Sequence, residues 1–273
     1  MQQVNVTQRV WQRILDLKSG NVALTDENWS PEETQALSLY RALLQPSGEP
    51  HVFAQIGQSL DGRIATETGD AQDVSGPDGL AHLHRLRALA DVVVVGVKTA
   101  IHDDPRLTVR LADGNSPVRV VIDPDGRLPN HAALLCDTSV RRIVIQATDV
   151  KRPEGVETIT LSRSEWISPA AIITTLKGLG FRHILIEGGG ITIAQFLEAG
   201  LLDRLHIAIA PLLIGSGPQS LTTSPVGTLA AAYRPEMTAY NLGSDVLFDC
   251  VLQNCRQISE QPTQAAVAAD ATH

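Results

Sequence analysis

The sequence predicts an α/β protein with a central sheet that is mostly parallel and extended on one side by antiparallel strands. Three observations carry that expectation. From Pro50 onward, short apolar runs alternate with helical patterns. Residues 91–97 are almost pure valine, the composition of a strand buried on both faces and therefore central. Knots of charge and glycine close successive apolar runs at residues 58–65, 84–88, 103–110 and 187–190, about one βα unit apart. A parallel sheet gathers such loops at one edge, where sites are built.

The elements follow in order. Residues 1–49 read as a helical appendage that packs on the main domain or on a partner subunit. Over 6–17, Val10, Ile14 and Leu17 share one stripe, with Trp11 and Leu15 beside it. Ser30-Pro31-Glu32-Glu33 is a helix start, with a Ser cap, Pro at the first position and Glu at the third. That helix should run to about Gln45. The main domain, 50–258, opens with a strand over 51–56. A helix over 77–90 carries Leu80, Leu83, Leu86 and Ala90 as its apolar stripe. Strands are expected over 91–97, 118–122, 142–146 and 183–186, and a helix over 192–199 closed by Gly200. Residues 204–210 and 246–252 supply the antiparallel edge. Residues 259–273, rich in Gln, Ala, Thr and Asp, read as a disordered tail.

Composition narrows the function. Hydrophobic residues make up 43% and charged residues 19% of the 273, with a formal charge of −8. That balance repels nucleic-acid backbones, so an anionic ligand must rely on locally gathered arginines. The three cysteines are scattered and lack a C-x-x-C spacing, which indicates neither a disulfide framework nor a thiolate metal site. With no signal-peptide pattern and no apolar run of about 18 residues, a soluble cytoplasmic protein is expected.

Ile184-Leu185-Ile186-Glu187-Gly188-Gly189-Gly190 followed by a helix sets backbone N–H groups and a helix dipole where an anion can approach. The plain alternative is a tight turn with no ligand. The run matches neither G-x-G-x-x-G nor a P-loop. Glu187, at the end of a buried strand, should face a pocket. Arg85 and Arg87 lie about 200° apart on their helix, so Arg87 borders the buried face and reaches a cleft while Arg85 is solvated. Arg87 and Arg110, from separate segments, could clamp a phosphate, or each could be a surface ion-pair partner. Asp103-Asp104-Pro105 lacks a third metal ligand and should instead fix a loop. His82 and His84 splay apart on a helix, which rules out a helical metal pair.

In this order, these motifs resemble the reductase domain of the bifunctional riboflavin-biosynthesis deaminase-reductase, over about residues 52–221. Pro211-Leu212-Leu213-Ile214-Gly215 fits as well. The resemblance implies a dihydrofolate-reductase-like three-layer fold and a homodimer. It also implies NADPH-dependent reduction of the ribose of 5-amino-6-(5-phosphoribosylamino)uracil to the ribityl form. It makes Gly57, Thr99 and Asp103 cofactor contacts, and Gly189, Gly190, Ile191, Thr192, Ile193, Ala194 and Gln195 the pyrophosphate cradle. Arg87, Leu107 and Arg110 become substrate contacts, and Glu187 the carboxylate beside the reacting sugar. Asp61 lies near that sugar or holds a turn. No metal site is implied. Residues 1–50 contain neither the His-x-Glu nor the Pro-Cys-x-x-Cys of the deaminase, so deamination is not expected of this segment.

Two departures bear on specificity. Where the family has Glu-Ser-x-Trp after Gly69, this chain has Asp70-Ala71-Gln72-Asp73. Where the family often places a Ser at the cofactor's 2′-phosphate, it has Pro124 followed by Asp125. A carboxylate there repels a 2′-phosphate and suits a free 2′-hydroxyl, so NADH stands beside NADPH as the expected cofactor. A paralogous reductase with another substrate, and a silent nucleotide-binding module, remain the rival readings.

Overall fold

The computed structural model describes residues 1–21, 28–44, 48–72 and 74–253. The end of the second predicted helix at Gln45, Asp73, Cys255 and the predicted tail lie outside the described residues. In chain order the elements are β1 (Gln2–Gln3), α1 (Gln8–Lys18), α2 (Pro31–Arg41), β2 (His51–Ser59), α3 (Pro77–Leu89), β3 (Val92–Gly96), α4 (Val97–His102), β4 (Val118–Ile122) and α5 (Ala133–Cys136). There follow β5 (Arg142–Gln146), β6 (Val156–Thr160), α6 (Pro169–Gly178), β7 (His183–Glu187), α7 (Gly190–Glu198), β8 (Arg204–Ala210), β9 (Glu236–Asn241) and β10 (Val246–Val251).

One sheet joins the strands in the order β1-β9-β10-β8-β2-β7-β3-β4-β5-β6. From β8 to β6 the pairings are parallel, and β10 is antiparallel to both β8 and β9. The antiparallel extension therefore begins one strand later than the sequence suggested, because β8 itself runs parallel to β2. Strand alternation feeds two cores. Phe53, Val93, Val95 and Leu185 face α1 to α5, while Val52, Ala54, Val94 and Ile186 face α6 and α7. The result is three layers.

The cap at Ser30 forms as expected: its side chain accepts from Glu33 N–H while the Glu33 carboxylate accepts from Ser30 N–H. The helix it starts ends at Arg41, short of Gln45. The appendage packs on its own main domain, with Val10, Ile14, Leu39, Tyr40 and Leu43 fully buried. In α3 the buried face is His82, Leu86, Arg87 and Leu89, whereas Leu80 and Leu83 are half-buried. Arg85 is half-buried, and its guanidinium sits 6.0 Å from the centre of the Trp11 ring. The strands β6 and β9 are not evident from the sequence because Val-Glu-Thr-Ile-Thr and Glu-Met-Thr-Ala-Tyr-Asn carry too few apolar residues to mark a buried run.

A buried polar chain crosses the molecule. Tyr40 Oη lies 2.9 Å from His82 Nδ1, and His82 Nε2 3.0 Å from His206 Nδ1. His206 Nε2 lies 3.2 Å from Asp249 Oδ1, and Arg204 Nη1 reaches both Asp249 oxygens at 2.5 Å. This chain links α2, α3, β8 and β10. Removing the Asp249 charge strands Arg204, so Asp249→Asn should lower the unfolding free energy by about 3 kcal/mol in urea melts.

Burial, ahead of neighbouring charges, pulls His51 down to about 4 and His82 well below its ordinary value. Both are neutral in the folded state, so their stabilisation is complete above the unfolded pKa of about 6.5 and is lost as pH falls below it. The thermal midpoint should therefore drop steadily from pH 6.5 toward 4. A flat profile in scanning calorimetry would contradict this.

Candidate active site

The C-terminal ends of β2, β3, β4 and β7 open on one edge, and a cavity of about 920 Å³ lies there. Glu187 ends β7 and stands in register with Gln55 of β2. It shares a sheet face with Leu185, so alternation points it toward α3. There Arg87 meets it in a two-pronged ion pair. Arg87 Nε donates to Oε2 at 2.9 Å and Nη2 donates to Oε1, while Nη1 donates to Thr108 O at 3.1 Å. Both side chains are less than a tenth exposed. Glu187 lines the cavity and Arg87 stands behind it. Three of the five Arg87 N–H donors are thus engaged by Glu187 and Thr108, and burying it unpaired would be costly.

Arg110 joins the same cluster from the other side, its Nη1 donating to Thr108 Oγ1 and its backbone N–H to His84 Nδ1 at 2.8 Å. It is exposed and stands outside the cavity lining. Burial, then the Arg87 and Arg110 charges, depress His84 to about 4, so it remains a neutral acceptor. Leu107, with φ of +52°, is buried in the core and does not line the cavity.

The glycine run has both packing and chemical reasons. Gly188 has φ of +101°, and a Cβ there would lie 2.9 Å from Thr99 Cγ2. A Cβ on Gly190 would fall 1.4 Å from Ser220 O, so no other residue fits. Gly189 N–H donates to Thr99 Oγ1 at 2.8 Å. The helix begins at Gly190, two residues earlier than predicted. Gly57, Thr99, Asp103, Gly189, Gly190, Ile191, Thr192 and Gln195 all line the cavity. Ile193 and Ala194 do not; their side chains are turned into the core. Burial pushes the Asp103 carboxyl up, while Asp104 does the loop-fixing, accepting from Ala133 N–H at 2.7 Å.

Asp61 is corrected to a turn role. It lies outside the cavity lining, and its carboxylate accepts from Ser59 Oγ (2.5 Å), Gly215 N–H (2.6 Å) and Ile214 N–H (3.1 Å). Those hydrogen bonds, Ser59 first, lower it to about 2.

At the far rim, Asp123 pairs with Arg152 at 2.6 Å, both at most 1% exposed, and accepts from the N–H groups of Arg127 and Leu128. This holds Pro124, Asp125 and Arg127 at the cavity. Asp125 is not an unopposed carboxylate. Arg163 Nη1 lies 2.6 Å from one oxygen and Arg127 Nε 3.6 Å from the other, and both arginines line the cavity with Trp166. Sequence reasoning missed Arg163, Trp166 and also Ser75, which lines the cavity four residues after Ala71. The one available signal was Ser168-Pro169, a helix start like Ser30-Pro31, which would have marked 161–168 as a loop after a strand.

The model of the RibD C-terminal domain matches residues 50–248. The chain belongs to that family. A 2,5-diamino-6-ribosylamino-4(3H)-pyrimidinone 5′-phosphate reductase of Methanothermobacter thermautotrophicus is 32% identical over 212 residues, covering 73% of this chain and 97% of the archaeal one. The riboflavin biosynthesis protein RibD of Aquifex aeolicus is 34% identical over 174 residues, covering 62% of this chain and 48% of its own length. A crystal structure from Thermotoga maritima, a diaminohydroxyphosphoribosylaminopyrimidine deaminase/5-amino-6-(5-phosphoribosylamino)uracil reductase, superposes with a TM-score of 0.65 at 25% identity. It covers 81% of this chain and 61% of that one. The chain thus spans nearly all of the archaeal relative and about half of the Aquifex RibD. Residues 1–49 of this RibD C-terminal domain protein lie outside the matched region.

The Arg87–Glu187 pair in this domain sets a clear expectation. Glu187→Ala leaves a buried guanidinium unpaired and should cost about 3–5 kcal/mol in chemical denaturation. Arg87→Ala should be similar, and a double-mutant cycle should return a coupling of about 1–3 kcal/mol.

Proposed function

We propose that this chain reduces the ribose of a 5-phosphoribosylamino-pyrimidine to its ribityl form, as a reductase of riboflavin biosynthesis. The observation that carries the reading is a cavity with Glu187 in its wall and the N-terminus of α7 alongside it. The relatives' names support the reaction class. Those names include substrates with an amino group and with an oxygen at position 2 of the pyrimidine, so both belong in the assay.

The cavity suits a nicotinamide dinucleotide. Gly188 to Gly190 present backbone without side chains, and the first-turn amides and dipole of α7 favour a pyrophosphate. Thr99, Asp103, Thr192 and Gln195 complete that wall. When bound, the cofactor supplies the hydride that reduces C1′ of the ring-opened, protonated imine; the imine nitrogen keeps its proton and becomes the amine. Glu187 is held by Arg87 with its carboxylate at the cavity wall, where it stabilises positive charge on that imine. Arg110, exposed beside Thr108, is the cation assigned to the sugar phosphate.

NADPH is the proposed cofactor. Two guanidinium forks surround Asp125, leaving most of their N–H groups free for an acceptor-rich 2′-phosphate. Glu165 also lines the cavity and opposes them. The reading is tested by titrating NADPH and NADH by nicotinamide fluorescence, then adding each pyrimidine and following oxidation. Substrate-dependent oxidation is expected with NADPH preferred, and binding of neither cofactor would refute the reading. Arg163→Ala should weaken NADPH about tenfold while leaving NADH within about twofold. Glu187→Gln keeps the shape, and unchanged turnover would remove the carboxylate from catalysis.

A further inference from the structure

The α1–α2 pair makes specific contacts with the segments that hold the Arg87–Glu187 cluster. Trp11 Nε1 donates to Asp113 O at 2.9 Å, anchoring the loop that carries Thr108 and Arg110. Lys18 Nζ donates to Ala88 O at 2.9 Å and to Ala90 O at 3.3 Å, capping the last turn of α3 just after Arg87. Burial lowers the pKa of that lysine, with the Asp91 charge opposing the shift. Tyr40 bonds His82 on the same helix, and the Arg85 guanidinium lies over Trp11. Gly114, with φ of +125°, packs so closely that a Cβ would come within 2.8 Å of Ala88 Cβ and 3.6 Å of Leu15 Cδ2. The loop is pressed between α1 and α3.

We infer that the α1–α2 pair is a positioning module for the sugar-phosphate end of the site: Trp11 and Lys18 act through the 107–114 loop and α3 to place Thr108, Arg110 and Arg87 around Glu187. The chain of contacts is short. Arg87 donates to Thr108 O, Arg110 donates to Thr108 Oγ1, and the Arg110 and Leu111 amides both reach His84 Nδ1 on α3, at 2.8 and 3.4 Å. A shift of either segment moves the ion pair and the nearby cation together. No hydrogen bond from α1 or α2 reaches the Gly189–Gln195 stretch among the described residues, so the dinucleotide end is outside this influence. The functional half of this inference rests on the reductase reading above.

The test uses the full chain with Trp11→Phe, which keeps an aromatic ring and removes the N–H donor, and Lys18→Met, which keeps the stem and removes the charge. Two readouts separate the inference from the reductase reading. In amide hydrogen exchange, Arg110 and Leu111 should exchange about tenfold faster in both variants while β3 and β7 keep their protection. In steady-state kinetics, KM for the phosphoribosylamino-pyrimidine should rise about fivefold, with the NADPH Kd within about twofold of the parent.

Unchanged exchange at 110–111 in folded variants overturns the inference. So does faster exchange spread evenly over the chain, or an NADPH Kd that loosens in step with KM, since either marks a merely structural role. Local exchange with an unmoved KM overturns its functional half. Local exchange in a parent that oxidises no NADPH refutes the reductase reading and leaves the structural support intact.

Discussion

The Arg87–Glu187 pair is the constraint around which the site is arranged. Two full charges, each under a tenth exposed, are tolerable only together. Arg87 comes from the last turn of α3 and Glu187 from the last residue of β7, so the helix cannot slide on the sheet without separating them. The third contact, to Thr108 O, adds the following loop to the same requirement. A helix, a strand end and a loop are thereby held to one geometry by groups that cannot part without stranding a buried charge. The opposite wall is held differently, by contact alone: Gly190 against Ser220 O and Gly188 against Thr99 leave no room for a side chain.

What was legible in the sequence follows from how each feature is encoded. The buried parallel strands are runs of Val and Ile too apolar for an exposed element, and Ser30-Pro31-Glu32-Glu33 is a local code for a helix start. Glu187 is legible because a carboxylate ending an apolar strand must meet either an opening or a cation, and here it meets both. Arg87 is legible as a residue at the cleft but its partner is not, because an arginine on a helix face looks the same whether it meets a ligand or a buried carboxylate. Ile193 and Ala194 enter the expected cradle with their neighbours, yet a helix turns each residue by about 100°, which carries those two side chains into the core while Ile191, Thr192 and Gln195 line the cavity. Asp61 and Asp125 were legible as charges, while their distant partners Gly215 and Arg163, some 150 and 38 residues away in the chain, were not.

The appendage shows the same limit from another side. Its stripe of Val10, Ile14 and Leu17 announces a buried face without saying against what. In the fold it closes the core on the α3 side of the sheet, and its polar atoms go to the carbonyls of α3 and the 107–114 loop. Trp11 and Lys18 each commit a hydrogen-bonding group to backbone that belongs to the cluster around Glu187, which is the reason to treat the α1–α2 pair as part of the site's framework.

The far rim of the cavity, at Asp125, carries the broader physical point. A carboxylate at position 125, taken alone, predicts repulsion of a phosphate. Placed 2.6 Å from Arg163 and 3.6 Å from Arg127, the same carboxylate aligns two guanidinium groups that would otherwise repel each other and turn away into solvent. Its effect on a ligand is then set by the donors it organises, each more than a third exposed and free to turn to an incoming acceptor. The charge that matters at such a rim belongs to the cluster, and the cluster is assembled from two loops that only the fold of β4 and β6 brings together.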